Sequence, residues 1–221
     1  MDIEIWSDIA CPWCYVGKRR FEAALAEFEH RDDVAVTWRS FELDPTAPAQ
    51  RSVDSATHLA EKYGMSRDEA LARQRSLAEV AAGDGLDMRA DLVRGANTFD
   101  AHRLVQLAKA HDVQDAMKER LMRAYHTEGE SMGDAGESMG DADTLVRLAV
   151  EVGLPEDDVR DVLATDRYAT DVREDESTAM ALGITAVPFF VVDRRMGAAG
   201  AHPAEALGEL LRRGWEARVP A

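Results

Sequence analysis

Polar and apolar residues alternate over Asp2, Ile3, Glu4, Ile5 and Trp6, the period-two pattern of a short strand with one buried face. Ser7-Asp8-Ile9-Ala10 then reads as a turn. Pro12 stands where a helix can begin, because its missing N–H is no loss in the first turn. Phe21, Leu25 and Phe28 recur at helical spacing and predict an amphipathic helix over about 12–29. Arg31-Asp32-Asp33 breaks it, and Val34 to Trp38 predicts a second strand. Strand, turn, helix and strand within 40 residues make a βαβ unit.

Pro45 and Pro48 punctuate a loop from about 42 to 53. From about 55 to 182 the strand signal almost vanishes. Helices are predicted near 55–63, 67–82, 97–110, 114–126, 143–153, 156–164 and 168–182, the last stopped by Gly183. Leu121 with Tyr125, and Leu145, Leu148, Ala149 with Val152, form apolar stripes that a packed helical core explains. The run after Pro188 (Phe189, Phe190, Val191, Val192) is continuous, as in a strand buried on both faces, and proline belongs at its start. Met196 to Ala201 is a weak final strand, and Pro203 opens a last helix to about Arg213. The chain thus reads as α/β.

Composition narrows the function classes. At 221 residues, the chain is one domain, or one domain with a sizeable insertion, and long enough to need no disulfide staples. Acids outnumber bases 42 to 26, a net charge of −16, which sets it against nucleic acid and anionic membrane surfaces. No run of 18 apolar residues spans a bilayer, and Met1 to Trp6 lacks the basic and apolar regions of a signal peptide, so a cytoplasmic location is expected. Gly129-Glu130-Ser131-Met132-Gly133-Asp134-Ala135 recurs letter for letter as 136–142. Two copies make no solenoid, and the spacing is not that of an EF-hand, so a lengthened surface loop is expected.

The chemistry lies in Cys11-Pro12-Trp13-Cys14, which holds both cysteines of the chain. At a strand-to-helix turn this is a dithiol redox motif. Cys11 would sit at the helix mouth, where free N–H groups and the positive dipole end favour a thiolate, the attacking species in disulfide exchange. Cys14, one turn on, could resolve the mixed disulfide. Two readings compete. Half a zinc site lacks its second ligand pair, since the six histidines (30, 58, 102, 111, 126, 202) show no paired ligand spacing. Two inert buried thiols would carry no chemistry at all.

Cys11 to Lys18, Phe41-Glu42-Leu43, Asn97-Thr98 with Ala101-His102-Arg103, and Gly183-Ile184 with Val187-Pro188-Phe189-Phe190 together resemble the DsbA-like thioredoxin family, in its FrnE-like branch. The matching pieces run from residue 5 to about 205. The resemblance implies a thioredoxin-like fold, residues 1–50 and 168–221, interrupted by a helical domain, 51–167. It implies a thiol:disulfide oxidoreductase with Cys11 as nucleophile and Cys14 resolving. Val187 and Pro188 would then form a cis-proline loop facing the cysteines, with the backbone of Val187 pairing with substrate; an ordinary trans proline opening a strand is the competing reading.

Pro12, Trp13, Phe41, Asn97, Phe99 and His102 are further substrate-binding candidates. Phe41 and His102 have plain core readings as well, and Asp8 reads as a tuning group or as a cap of the turn. No metal and no tightly bound cofactor are expected. Glutathione or a thioredoxin-type donor fits as redox partner, and protein or small-molecule thiols and disulfides fit as substrates; a homodimer is compatible. Related enzymes of this group include 2-hydroxychromene-2-carboxylate isomerase and kappa-class glutathione transferases, in which a serine stands where this chain has Cys11. Two alternatives follow: a glutathione-dependent isomerase or transferase acting on a small aromatic substrate, and a chaperone-like binding module.

Overall fold

The computed structural model describes residues 1–49, 51–131 and 139–218. In chain order these form β1 (Asp2–Ser7), α1 (Pro12–Ala26), a 3-10 turn (Arg31–Asp33), β2 (Ala35–Ser40), α2 (Ser55–Tyr63), α3 (Arg67–Gly83), α4 (Phe99–Ala110), α5 (Gln114–Arg123), a π turn (Ala124–Glu128), α6 (Met139–Glu151), α7 (Glu156–Ala164), α8 (Ala169–Ala181), β3 (Phe189–Val192), β4 (Met196–Ala199) and α9 (Ala204–Glu216). The chain divides into two compact units, Met1–Leu43 with Val172–Ala221, and Asp44–Asp171. The family resemblance placed these divisions after 50 and 167. Residues 132–138, half of the duplicated segment 129–142, lie outside the described residues.

The first unit is built on a mixed sheet in the order β2-β1-β3-β4. β1 runs parallel to β2, from Asp2↔Ala35 to Ser7↔Ser40. It runs antiparallel to β3, with Ile5 opposite Phe190, and β3 is antiparallel to β4. Ile3 and Ile5 point to the face of α1 and α9, where Phe21 stacks on Phe190 at 5.6 Å. Trp6 and Val191 point to the other face and pack against Ala179 and Ile184, with Phe41, Val187 and Phe189 around them. The Trp6 indole donates to the Asp175 carbonyl of α8 at 2.9 Å.

One expectation needs correction here. Alternation along β1 predicted a polar face in water, yet Glu4 is buried. It can be, because Arg39 of β2 and Arg194 after β3 both hydrogen-bond its carboxylate. The Arg194 hydrogen bond, joined by that of Arg39, outweighs burial and holds the Glu4 carboxyl below the usual range. The side chains of Arg39 and Arg194, brought by the neighbouring strand and the turn after β3, cover this face at Glu4.

The second unit is helical. Asp54 caps α2 by accepting from the Thr57 N–H at 2.9 Å, and Ser66 with Glu69 closes a capping box on α3. α4 is buried from Asp100 to Ala108. Arg103 is satisfied there by Asp100 at 2.7 Å, by the Arg167 carbonyl at 2.9 Å and by the carbonyls of Val162 and Thr165. The helix expected over 114–126 ends its α geometry at Arg123. It widens into the π turn, closed by Gly129 in the left-handed region, φ 73°. Glu128 in that turn takes both Arg120 and Arg123. Among the described residues, no helix is long and apolar enough to cross a membrane.

Candidate active site

The cysteine turn lies where β1 hands over to α1. Cys11 is the N-cap residue of α1, in extended backbone, and Pro12 takes the first helical position. The Cys11 N–H donates to the Asp8 carbonyl at 3.3 Å, and the Cys14 N–H donates to the Cys11 carbonyl at 3.0 Å. The first turn of α1 itself carries no acidic residue; the carboxylate of the cysteine turn is that of Asp8, which precedes the helix. Cys11 is 5% exposed and Cys14 is fully buried, while Trp13 between them is 44% exposed. That gradient suits a pair in which one sulfur meets a partner and the other waits behind it.

Val187 and Pro188 come to the cysteines from the far end of the sequence. The Val187–Pro188 peptide bond is cis. The Cys11 thiol donates to the Val187 carbonyl at 3.7 Å. Gly17, one turn beyond Cys14, makes room for this approach. A Cβ there would stand 2.8 Å from Cγ of Pro188 and 3.4 Å from its Cβ. Gly17→Ala is therefore expected to destabilise by about 1–2 kcal/mol through overpacking, despite the better helix propensity of alanine. The Val187–Pro188 segment should shift with it. Urea unfolding checks the first effect; a variant more stable than the parent would show that the proline ring yields freely.

Asp8 is a cap and a tie. One carboxylate oxygen accepts from the Ala10 N–H at 3.2 Å, the other from the Leu43 N–H at 2.8 Å. The cysteine turn is thereby stitched to the segment that follows β2. α8 holds the same segment by its acids: the Ser40 N–H donates to Asp175 at 2.8 Å, and the Glu42 N–H donates to Glu176 at 3.2 Å. Glu42 is itself buried, and Arg173 donates to it and to Glu176 at 2.6 and 2.7 Å. Phe41 packs on the core cluster around Trp6.

The remaining candidates lie in the second unit. The Asn97 side chain accepts from the Phe99 N–H at 2.8 Å and donates to the Ala47 carbonyl at 3.4 Å, which fixes the loop entering α4. Phe99 lies under the Arg103 guanidinium at 5.8 Å, and His102 is fully buried on α4. Among the described residues, no group of three or more His, Cys, Asp or Glu could hold a metal ion.

Sequence reasoning gave no role to Gly17, Glu42, Arg173 or Asp175. Gly17 and Glu42 stand inside quoted motifs, and the acidic triplet Glu174-Asp175-Glu176 was the visible sign of the third partner.

Comparison with known proteins matches residues 2–212 to the DSBA-like thioredoxin domain. A crystal structure of a probable DsbA oxidoreductase from Streptomyces coelicolor is 46% identical, with a TM-score of 0.93 over 100% of this chain and 92% of that one. An uncharacterized protein of Bacillus subtilis, YwbO, is 30% identical over 202 residues, 90% of each chain. A cytosolic disulfide reductase from Pseudomonas aeruginosa, DsbM, shares the fold at 16% identity, with a TM-score of 0.67 over 98% of this chain and 100% of that one. With its cysteine turn at a helix mouth and a family match along nearly its whole length, the chain belongs to the DsbA-like thioredoxin family.

Proposed function

We propose that this protein is a thiol:disulfide oxidoreductase working through Cys11 and Cys14. The observation that carries the reading is the Cys11 thiol at the N-terminus of α1, 3.7 Å from the Val187 carbonyl. Membership of the DsbA-like family and the 46% identical probable oxidoreductase support the same class of chemistry. The Cys11 thiolate attacks one sulfur of a substrate disulfide, and that S–S bond breaks as the other sulfur leaves as a thiolate. Cys14 loses its proton and attacks Cys11, closing the Cys11–Cys14 bond and expelling the second substrate thiol. The enzyme dithiol is oxidised and the substrate disulfide reduced; the reverse sequence oxidises a substrate dithiol.

Trp13 beside the thiol gives an exposed apolar contact, and the backbone of Val187 would pair with an extended substrate in the manner of strand addition. In the cytoplasmic setting expected from the sequence, glutathione or a thioredoxin-type protein would be the redox partner. Titration with mixtures of reduced and oxidised glutathione, read by Trp13 fluorescence and by counting alkylated thiols, tests this. The expected result is one reversible two-electron transition, absent when either cysteine is serine. Thiols that stay reduced throughout, or a lone glutathione adduct as end point, would remove the dithiol couple.

A further inference from the structure

We propose that Glu42 is a positioning residue for the Cys11–Cys14 couple: a buried carboxyl on the segment that the Asp8 carboxylate ties to the cysteine turn, whose protonation sets how far the dithiol form is favoured. This rests on the function proposed above and adds a pH-responsive part to its site.

The geometry comes first. The Glu42 side chain is 1% exposed. One oxygen accepts from Arg173, and the other, Oε1, is buried with no hydrogen-bond partner. An ionised carboxylate accepts on both oxygens, so a buried oxygen left without a donor weakens the case for a permanent charge. The groups facing Glu42 are Asp8 from the cysteine turn, and Arg173 and Glu176 from α8. Arg39 of β2 and Asp175 of α8 pair with each other next along the same segment. Two carboxylates against one shared arginine leave the negative charge in excess at Glu42.

The electrostatics agree with that count. Burial pushes the Glu42 carboxyl up to about 7; the Arg173 hydrogen bond and charge pull it back, and Glu176 and Asp8 add to the rise. Arg173 is half-exposed, so its attraction is partly screened by water.

Two backbone hydrogen bonds to Asp8 hold the Glu42 segment against the cysteine turn. Leu43, next to Glu42, donates to the Asp8 carboxylate, and the other oxygen of that carboxylate accepts from the Ala10 N–H, directly before Cys11. In the proposed reaction the dithiol acts through a Cys11 thiolate, and that charge is lost when the Cys11–Cys14 bond forms. A second buried negative charge on this network favours that removal. With Glu42 protonated, below about pH 7, the dithiol form is held less unfavourably and the couple is more oxidising. With Glu42 ionised, above it, the couple is more reducing. Glu42 gains and loses its own proton only; the electrons and the protons of the thiols pass between the cysteines and the substrate sulfurs.

The test is the exchange equilibrium constant with glutathione from pH 6 to 8, beside infrared detection of the protonated carboxyl. The intact protein should show an inflection near 7, across which the constant departs by about threefold to tenfold from the course set by the thiols alone. Glu42→Gln should lose both inflection and carboxyl band. Arg173→Gln, at the half-exposed side of the network, should move both upward in pH, because it removes the attraction that favours ionisation; Glu176→Gln should move them downward. An inflection that persists in Glu42→Gln, or that ignores Arg173→Gln, overturns the assignment, since a purely structural glutamate would not place it. If the two-electron transition itself is missing while the carboxyl band still titrates near 7, it is the oxidoreductase proposal that fails, and the coupling with it.

Discussion

Cys11→Ser is expected to lower disulfide-exchange activity by at least about 10³-fold, to the level of the uncatalysed reaction. A serine hydroxyl carries almost no anion near neutral pH and cannot form the mixed disulfide. Neither Cys14 nor another sulfur nucleophile replaces it: Cys14 is fully buried, and the chain has two cysteines in all. Cys14→Ser should behave differently. It keeps the attacking thiol and loses the resolving one, so the substrate should remain bound to Cys11 as a mixed disulfide. Reduction of insulin disulfides gives the rate, and intact-mass measurement after mixing with oxidised glutathione gives the adduct. Equal loss in both variants without a trapped adduct would contradict the division of roles. Activity retained in Cys11→Ser would move the chemistry away from this turn altogether.

The second large effect is on stability. Asp175→Ala should destabilise by about 2–4 kcal/mol. Its carboxylate accepts from the buried Ser40 N–H at 2.8 Å and from Arg39 at 2.9 Å, joining α8 to β2. Without it, the Ser40 N–H loses a charged acceptor and the Arg39 guanidinium keeps Glu4 alone. Asp175→Asn retains an acceptor but not the charge, and should lose about half as much. Urea midpoints at constant slope measure both. A change within about 0.5 kcal/mol for the alanine variant would mean that water or a neighbour takes over both donors.

The sequence was legible where structure is local. The period-two run at Ile3 and Ile5, the helical spacing of Phe21 and Leu25, and the cysteine pair at a strand-to-helix turn each declare themselves within a few residues. The spans of α2 and α7, expected near 55–63 and 156–164, follow from the local pattern in the same way. What stayed hidden depends on residues far apart in the chain. Nothing near Glu4 says that Arg39 and Arg194 will cover it, so its strand looked half-exposed. Glu42 stood in a recognisable motif, but its burial against Arg173 and Asp8 is a product of topology. Gly17 looks like a weak point in a helix until Pro188 is set against it. The π turn after Arg123 also escaped, because tertiary hydrogen bonds, such as Arg89 N–H to the His126 carbonyl, override the continuing helical pattern.

The discontinuity of the first unit has a consequence for how the chain is made. Its central strand pairs with β2 early in the sequence and with β3 only after residues 44–171 have been added. Closing so long a loop is slow compared with forming the local helices between. On the ribosome, then, α2 to α7 are synthesised while β1 still lacks its β3 neighbour and Cys11 lacks the Val187 carbonyl. The two thiols are made before residues 44–171 and the Val187 carbonyl after them, so a nascent chain carries the cysteines without the finished site.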